Sequence, residues 1–129
     1  MAAALRVLIV DDEPFIAHAV SATLESDGIE VGMCADWTAV ATTVRVTDPD
    51  LILMDYNMPG LKGDELCRIL KRNAVDSHMK IIIFSSEPES DLIGITAQCG
   101  ADGFLPKNTP VPELVARIRG FVDSPGVDL

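Results

Sequence analysis

The 129-residue sequence is poor in basic residues, with 10 lysines and arginines against 20 aspartates and glutamates, and its formal net charge is −10. Such a surface repels nucleic-acid phosphates and anionic lipid headgroups, so we expect no direct binding of nucleic acid or of a membrane. The excess of acid is compatible with cations or basic partners, and it is equally compatible with solubility alone.

Cysteine is also scarce, and its three copies, Cys34, Cys67 and Cys99, form no C-x-x-C pair. An odd number of widely spaced cysteines does not indicate a disulfide framework or a cysteine-rich zinc site. We therefore expect free thiols in a reducing compartment, which favours a cytoplasmic protein. The opening MAAALRVLIV is too short for a membrane span, and Arg6 breaks the order that a signal peptide needs.

The sequence is rich in short apolar runs, and hydrophobic residues make up 48% of it, which suits one domain with its own core. Apolar runs alternate with helix-like segments along the chain. This alternation predicts an α/β fold, a doubly wound parallel sheet of five strands with helices on both faces. Pro106 places the last strand at an edge, because proline donates no ladder hydrogen bond. The predicted strands are 5–10, 29–34, 51–55, 80–86 and 102–107.

The helices are predicted to follow these strands in turn. Asp36 and Thr109 are the predicted caps of the second and fifth helices, and the third is predicted over 63–73. We assign residues 1–123 to a single domain. Residues 124–129 are interpreted as a flexible tail or the start of a missing linker.

Polar residues stand at the carboxyl ends of four of the predicted strands. Taken singly, each has an ordinary explanation, such as helix capping or a solvated surface charge. Because the carboxyl ends of parallel strands lie at one edge of a sheet, we expect these side chains to meet in one cleft. They are Asp11 and Asp12 after the first strand, Asp55 on the third, Ser85 and Ser86 on the fourth, and Lys107 on the fifth.

Three clustered carboxylates repel one another unless a cation joins them. Oxygen ligands with open positions suit Mg²⁺, which keeps several waters and also contacts phosphate. Asp55 is then a candidate nucleophile for aspartyl-phosphate chemistry. The Lys107 ammonium, and the Ser85 hydroxyl with a nearby backbone N–H, are suited to stabilise a transferred phosphoryl group. Ser86, next to Ser85, is a further catalytic candidate.

Four segments, LIVDDEP, LILMDYNMPGLKG, IIIFSSE and DGFLPK, closely resemble the receiver domain of two-component response regulators, and they occur in the same order. The resemblance implies a flavodoxin-like (βα)5 fold with the strand order 2-1-3-4-5. It implies that a histidine kinase or a histidine phosphotransfer protein phosphorylates Asp55. Asp12, Asp55 and the backbone carbonyl of Asn57 would hold Mg²⁺ directly and Asp11 through water, and Lys107 would pair with the phosphoryl group.

The resemblance also implies a conformational switch. Ser85 stands at the position of the switching hydroxyl, and Phe104 at that of the aromatic switch residue. The face made by the fourth helix, fifth strand and fifth helix (88–122) would change shape and regulate a downstream protein target. On the fourth helix, Ile93 falls off the buried stripe and is a candidate contact with that target.

Two further positions are predicted to set how long the phosphoryl group lasts. Asn57 follows Asp55 by two residues, and Glu87 follows Ser85 by two. An amide and an acid at these positions resemble the fast-dephosphorylating chemotaxis type, and an amide can help to place an attacking water. The prediction is a short-lived phosphoryl group.

The sequence departs from the family pattern directly after Lys107. Asn108 follows Lys107, where the family usually has a proline with a cis bond. A cis bond before a residue other than proline costs about 3–4 kcal/mol. This favours a trans bond between Lys107 and Asn108, with the lysine aimed differently.

Several readings of the output stay open. No helix-turn-helix pattern or basic recognition segment follows the domain, so we expect either a stand-alone receiver or one excised from a larger regulator. The module could dock on a target as in chemotaxis, act as a phosphorelay intermediate, or regulate a fused domain. The rival class is a Mg²⁺-dependent phosphatase with an aspartyl nucleophile, although such enzymes carry a D-x-D pattern on the first strand, where this chain has DDEP.

Overall fold

The structure is a computed structural model that describes residues 4–58, 61–62, 65, 68 and 78–123. Its centre is a sheet of five parallel strands in the spatial order β2-β1-β3-β4-β5, which is the predicted 2-1-3-4-5 order. A short antiparallel pair, Asn57–Met58 with Leu61–Lys62, stands apart from this sheet. The five sheet strands are β1 (Arg6–Val10), β2 (Glu30–Cys34), β3 (Leu51–Asp55), β4 (Lys80–Ser85) and β5 (Gly103–Pro106).

The described helices are α1 (Pro14–Glu25), α2 (Val40–Thr47), α3 (Glu89–Cys99) and α4 (Val111–Asp123), and a 3₁₀ turn at Trp37–Ala39 leads into α2. The predicted helix 63–73 lies largely outside the described residues, and so does the predicted tail 124–129. Helices α3 and α4 therefore correspond to the fourth and fifth predicted helices. In the described part of the chain, no helix has both the length and the apolar character that crossing a membrane requires.

The core has two apolar clusters, and the central strand β3 contributes to both. Ile52 and Met54 belong to one cluster, and Leu51 and Leu53 to the other. Side chains alternate between the faces of a strand, so a strand covered by helices on both faces has to be apolar throughout. All five residues of β3 are buried, including its last residue, Asp55. The strand is a rigid support that ends in a carboxylate.

The ends of the strands lie within one residue of the predictions, and one of the two predicted helix caps differs. Pro106 lies on the edge strand β5, as predicted. Asp36 caps the 3₁₀ turn before α2, and its carboxylate accepts a hydrogen bond from the backbone N–H of Thr38 at 3.0 Å. The prediction for Thr109 was wrong: α4 begins at Val111, and the Thr109 hydroxyl donates to the carbonyl of Pro106 at 2.6 Å. The side chain is engaged in the loop before the helix.

Candidate functional site

Three carboxylates meet where β1 and β3 end. The two strands pair in parallel, so their carboxyl ends lie side by side. One carboxylate oxygen from each of Asp11, Asp12 and Asp55 lies within 4.8 Å of the others. Asp11 and Asp55 are only 3% and 5% exposed. The structure thus brings together the acids that the sequence predicted to converge.

Lys107 follows β5 and reaches this group of acids. Its Nζ lies 3.0 Å from Oδ2 of Asp11 and 3.5 Å from Oδ1 of Asp55, and its side chain is 6% exposed. The backbone N–H of Lys107 donates to the carbonyl of Ser85 at 2.9 Å, which ties the loop after β5 to the end of β4. The ammonium also lies 5.7 Å from the centroid of the Phe84 ring, within the range of a cation–π contact. A buried positive charge therefore faces the buried acids.

No cis peptide bond occurs among the described residues, so the bond between Lys107 and Asn108 is trans. This agrees with the preference predicted from Asn108. The trans bond is compatible with a lysine that reaches the carboxylates.

The burial of these groups changes their pKa values. Burial raises the pKa of Asp55 to about 6, although the backbone N–H of Asn57 and the charge of Lys107 act in the opposite direction. Burial also lowers the pKa of Lys107, but its contacts with Glu13, Asp11 and Asp55 outweigh burial and leave the pKa above its ordinary value. At neutral pH Asp55 is therefore mostly ionised, at a free-energy cost to the folded state.

The donors of this site fit a hard cation. Oδ2 of Asp11 is buried, and no described group makes an aligned hydrogen bond to it, although the Lys107 ammonium lies 3.0 Å away. Three carboxylates offer oxygen ligands, and half-buried Asp12 leaves a route to solvent. Such a set, with positions left for water, is the kind that Mg²⁺ prefers.

The end of β4 supplies the predicted hydroxyls. Ser85 is 1% exposed, and its Oγ accepts a hydrogen bond from the backbone N–H of Glu87 at 3.1 Å. Its neighbour Ser86 is exposed. Only the first of the two serines is thus held inside the protein.

The two residues predicted to tune the lifetime of a phosphoryl group contact each other. The side-chain amide of Asn57 donates to Oε1 of Glu87 at 3.4 Å. The backbone N–H of Asn57 also donates to Oδ1 of Asp55 at 3.2 Å. The backbone of Asn57 therefore lies beside Asp55, and its side-chain amide is bound by the loop after β4.

The predicted switch and docking residues lie farther along the chain. Phe104 pairs with Ile83 across β5 and β4, and its half-buried ring packs against the apolar cluster that includes Leu92 of α3. Ile93 is 59% exposed on α3. The roles predicted for both side chains stay predictions.

Sequence reasoning missed one residue of the site, Glu13. Its Oε1 accepts a hydrogen bond from Nζ of Lys107 at 2.6 Å, and this is the shortest of the three lysine–carboxylate contacts. The only signal in the sequence was that Glu13 is the third acid in a row. Since 94 positions separate it from Lys107, the contact depends on how two loops meet in space.

Comparison with known proteins agrees with this architecture. A curated relative, the DNA-binding response regulator MtrA of Mycolicibacterium smegmatis, is 32% identical over 114 residues, which are 88% of this chain and 49% of MtrA. The chain thus spans about half the length of the curated relatives it matches. Chemotaxis response regulator CheY4 of Vibrio cholerae superposes with a TM-score of 0.83 at 26% identity, over 92% of this chain and 99% of that one.

A second solved structure extends the likeness to an activated form. The BeF₃-activated N-terminal receiver domain of RstA from Klebsiella pneumoniae superposes with a TM-score of 0.82 at 25% identity, over 92% of this chain and 99% of that one. The family model of the response regulator receiver domain matches residues 7–119. The match confirms the resemblance that the four sequence motifs indicated: the chain belongs to the response regulator receiver domain family.

Proposed function

We propose that this chain is a phosphorylation-controlled signalling module, in which Asp55 accepts a phosphoryl group from a histidine kinase or a histidine phosphotransfer protein. The family is a signalling family rather than a family of classical enzymes. One observation carries the proposal. Asp55 ends a fully buried strand, lies among two further carboxylates, and has the Lys107 ammonium 3.5 Å from its Oδ1.

The transfer uses groups that are already in place. A carboxylate oxygen of Asp55 attacks phosphorus while the P–N bond of the phosphohistidine breaks, and the bonding electron pair stays on the imidazole nitrogen. Lys107 is near enough to pair with the new phosphoryl oxygens. Asp11, Asp12, Asp55 and the carbonyl of Asn57 would hold Mg²⁺, which when bound neutralises the acids and the phosphoryl charge.

The buried serine at the end of β4 connects the site to the proposed output face. In the structure the Ser85 oxygen accepts from the N–H of Glu87, and its hydroxyl proton can be donated to a phosphoryl oxygen. A shift of Ser85 toward that oxygen would draw the loop before α3 with it, and the half-buried ring of Phe104 packs against the same apolar cluster as α3. The face 88–122, including exposed Ile93, would then present a different surface to a protein target.

The proposal also covers the domain bounds and the kind of protein to which the module belongs. Residues 1–123 form the receiver domain. Two relatives are named a DNA-binding response regulator and a transcriptional regulatory protein. Because this chain spans only about half of such proteins, a receiver belonging to a larger regulator is the alternative to a stand-alone module or a phosphorelay intermediate.

Incubation with Mg²⁺ and acetyl phosphate tests this function. We expect one phosphoryl group per chain, located by mass spectrometry after reduction of the acyl phosphate, on the peptide that contains Asp55. Omission of Mg²⁺ with a chelator present is the control, and it should suppress labelling. A chain that takes no label, or takes it on a peptide without Asp55, would refute the proposal.

The contact between Asn57 and Glu87 leads to a prediction about lifetime. We expect the phosphoryl group to be lost within minutes, and Glu87→Gln to lengthen its half-life by about fivefold, because the neutral glutamine oxygen would hold the Asn57 amide about 1 kcal/mol less strongly than the carboxylate does. Release of inorganic phosphate over time measures both. The control is Glu30→Gln, an exposed acid at the start of β2, and it should leave the half-life unchanged. A half-life of many hours in the unmodified protein would contradict the prediction.

A further inference from the structure

Glu13, rather than Asp55, is the closest partner of Lys107 in the unphosphorylated protein. Nζ lies 2.6 Å from Oε1 of Glu13 but 3.5 Å from Oδ1 of Asp55. The lysine side chain is 6% exposed, whereas that of Glu13 is 54% exposed. Water screens this ion pair less than one between two surface side chains, because one of its members is buried.

The backbone holds Glu13 in place for this contact. Its N–H donates to Oδ1 of Asp11 at 2.9 Å, and its carbonyl accepts from the N–H of Ala17 at 3.0 Å. Glu13 occupies the N-cap position of α1, yet its side chain makes no capping hydrogen bond. A short polar side chain at this position usually accepts a hydrogen bond from the first turn of its own helix. The longer Glu13 side chain contacts Lys107 instead.

Three carboxylates surround the ammonium of Lys107, and among the described residues only its contact with Glu13 is an aligned hydrogen bond. A lysine offers three N–H donors, and three carboxylates, those of Asp11, Glu13 and Asp55, lie within 3.5 Å of it. A phosphoryl group on Asp55 brings new acceptor oxygens, which compete with these carboxylates for the ammonium. Glu13 is the least costly one to release, since its exposed carboxylate can be hydrated, whereas that of Asp11 is buried.

We propose that Glu13 is a positioning residue that holds Lys107 in the resting state and opposes its engagement with a phosphoryl group on Asp55. The proposal rests on the proposed function of Asp55 and adds a regulator of that same site. The Glu13 carboxylate and the phosphoryl oxygens compete for one ammonium. Loss of the Glu13 contact then favours the activated state, whereas loss of Lys107 itself disfavours it.

Beryllofluoride, a mimic of the phosphoryl group, measures this competition at equilibrium when Mg²⁺ is saturating. Glu13→Gln should bind it about three- to tenfold more tightly than the unmodified protein, the range expected for losing one partly buried ion pair. Glu13→Asp keeps the charge but is shorter by one methylene, so it should bind more tightly as well. Glu30→Gln changes the net charge equally at the opposite end of the sheet and should bind as the unmodified protein does.

An NMR measurement on the resting protein separates this inference from the proposed function. The Nζ resonance of Lys107 should shift in Glu13→Gln and Glu13→Asp, but not in Glu30→Gln, whether or not the chain accepts phosphate. A shifted resonance in a protein that neither takes label nor binds beryllofluoride would overturn the proposed function together with this role. A protein that is labelled on Asp55 but whose beryllofluoride affinity is the same with and without Glu13 would overturn the inference alone. Equal affinity of Glu13→Asp and the unmodified protein would also overturn it, since charge rather than contact would then be the cause.

Discussion

Replacement of Asp55 by asparagine should abolish phosphoryl transfer and at the same time raise the free energy of unfolding of the magnesium-free protein by about 1–2 kcal/mol at pH 7. The amide has no carboxylate oxygen to attack phosphorus, so labelling by acetyl phosphate should vanish. The gain in stability has a different cause. Burial raises the pKa of Asp55 to about 6, so its charge at neutral pH opposes folding. The figure allows for partial screening by solvent.

The difference in stability between Asp55→Asn and the unmodified protein should depend on pH. The pKa of Asp55 is raised on folding, from 3.8 to about 6, so the folded state retains the proton more strongly than the unfolded chain does. That contribution to stability is complete below about pH 4 and is lost as the pH rises through about 6. The advantage of Asp55→Asn should therefore be small at pH 4 and fully developed at pH 7. Urea unfolding of both proteins at the two pH values, with a chelator present, measures it.

Asp36 is a matched control of opposite sign. The backbone N–H of Thr38 lowers the pKa of this exposed carboxylate, which caps the turn before α2. Asp36→Ala should lower the stability at pH 7, and the loss should diminish when the carboxylate is protonated. If Asp55→Asn were less stable than the unmodified protein at pH 7, or if its advantage were the same at pH 4, the assigned cause would be wrong.

Lys107→Met should destabilise the magnesium-free protein by about 2–4 kcal/mol, because it removes one partner of a buried charge cluster. Methionine keeps much of the length and volume of the lysine stem, so the loss reports mainly on charge. The carboxylates of Asp11 and Asp55 would remain buried without the ammonium that lies 3.0 and 3.5 Å from them. Addition of Mg²⁺ should recover part of the stability if these carboxylates hold the ion, and acid should recover part of it as Asp55 takes up a proton.

The exposed ion pair between Arg119 and Asp27 is a control for this variant. Nη2 of Arg119 lies 2.8 Å from Oδ2 of Asp27, and the two side chains are 43% and 49% exposed. Arg119→Met should therefore cost less than about 1 kcal/mol and should not respond to Mg²⁺. Urea unfolding of both variants with and without Mg²⁺ makes the comparison. An equal loss of stability in the two variants would show that the burial of Lys107 does not increase the cost of removing its charge.

Much of the fold could be predicted because most strands have a recognisable local sequence pattern. The runs at β1, β3 and β4 are apolar without interruption, as strands covered on both faces have to be, and Pro106 marked the edge strand. The boundaries were less predictable. Thr109 is a residue type that caps helices, yet its hydroxyl finds the Pro106 carbonyl before α4 begins. Competition between nearby acceptors decides such a case, and the residue type alone does not express it.

The sequence by itself determined which groups stand at the carboxyl edge of the sheet. The parallel order follows from the alternation of strands and helices, and it carries Asp11, Asp12, Asp55 and Lys107 to one place whatever the loops do in detail. Only the tertiary structure decided which carboxylate forms the shortest ion pair with Lys107. The preference of Lys107 for Glu13 over Asp55 is a difference between 2.6 and 3.5 Å, set by the meeting of the loops after β1 and β5. Strand periodicity specifies an edge, but an ion pair depends on loop positions and burial, which arise only when distant parts of the chain pack together.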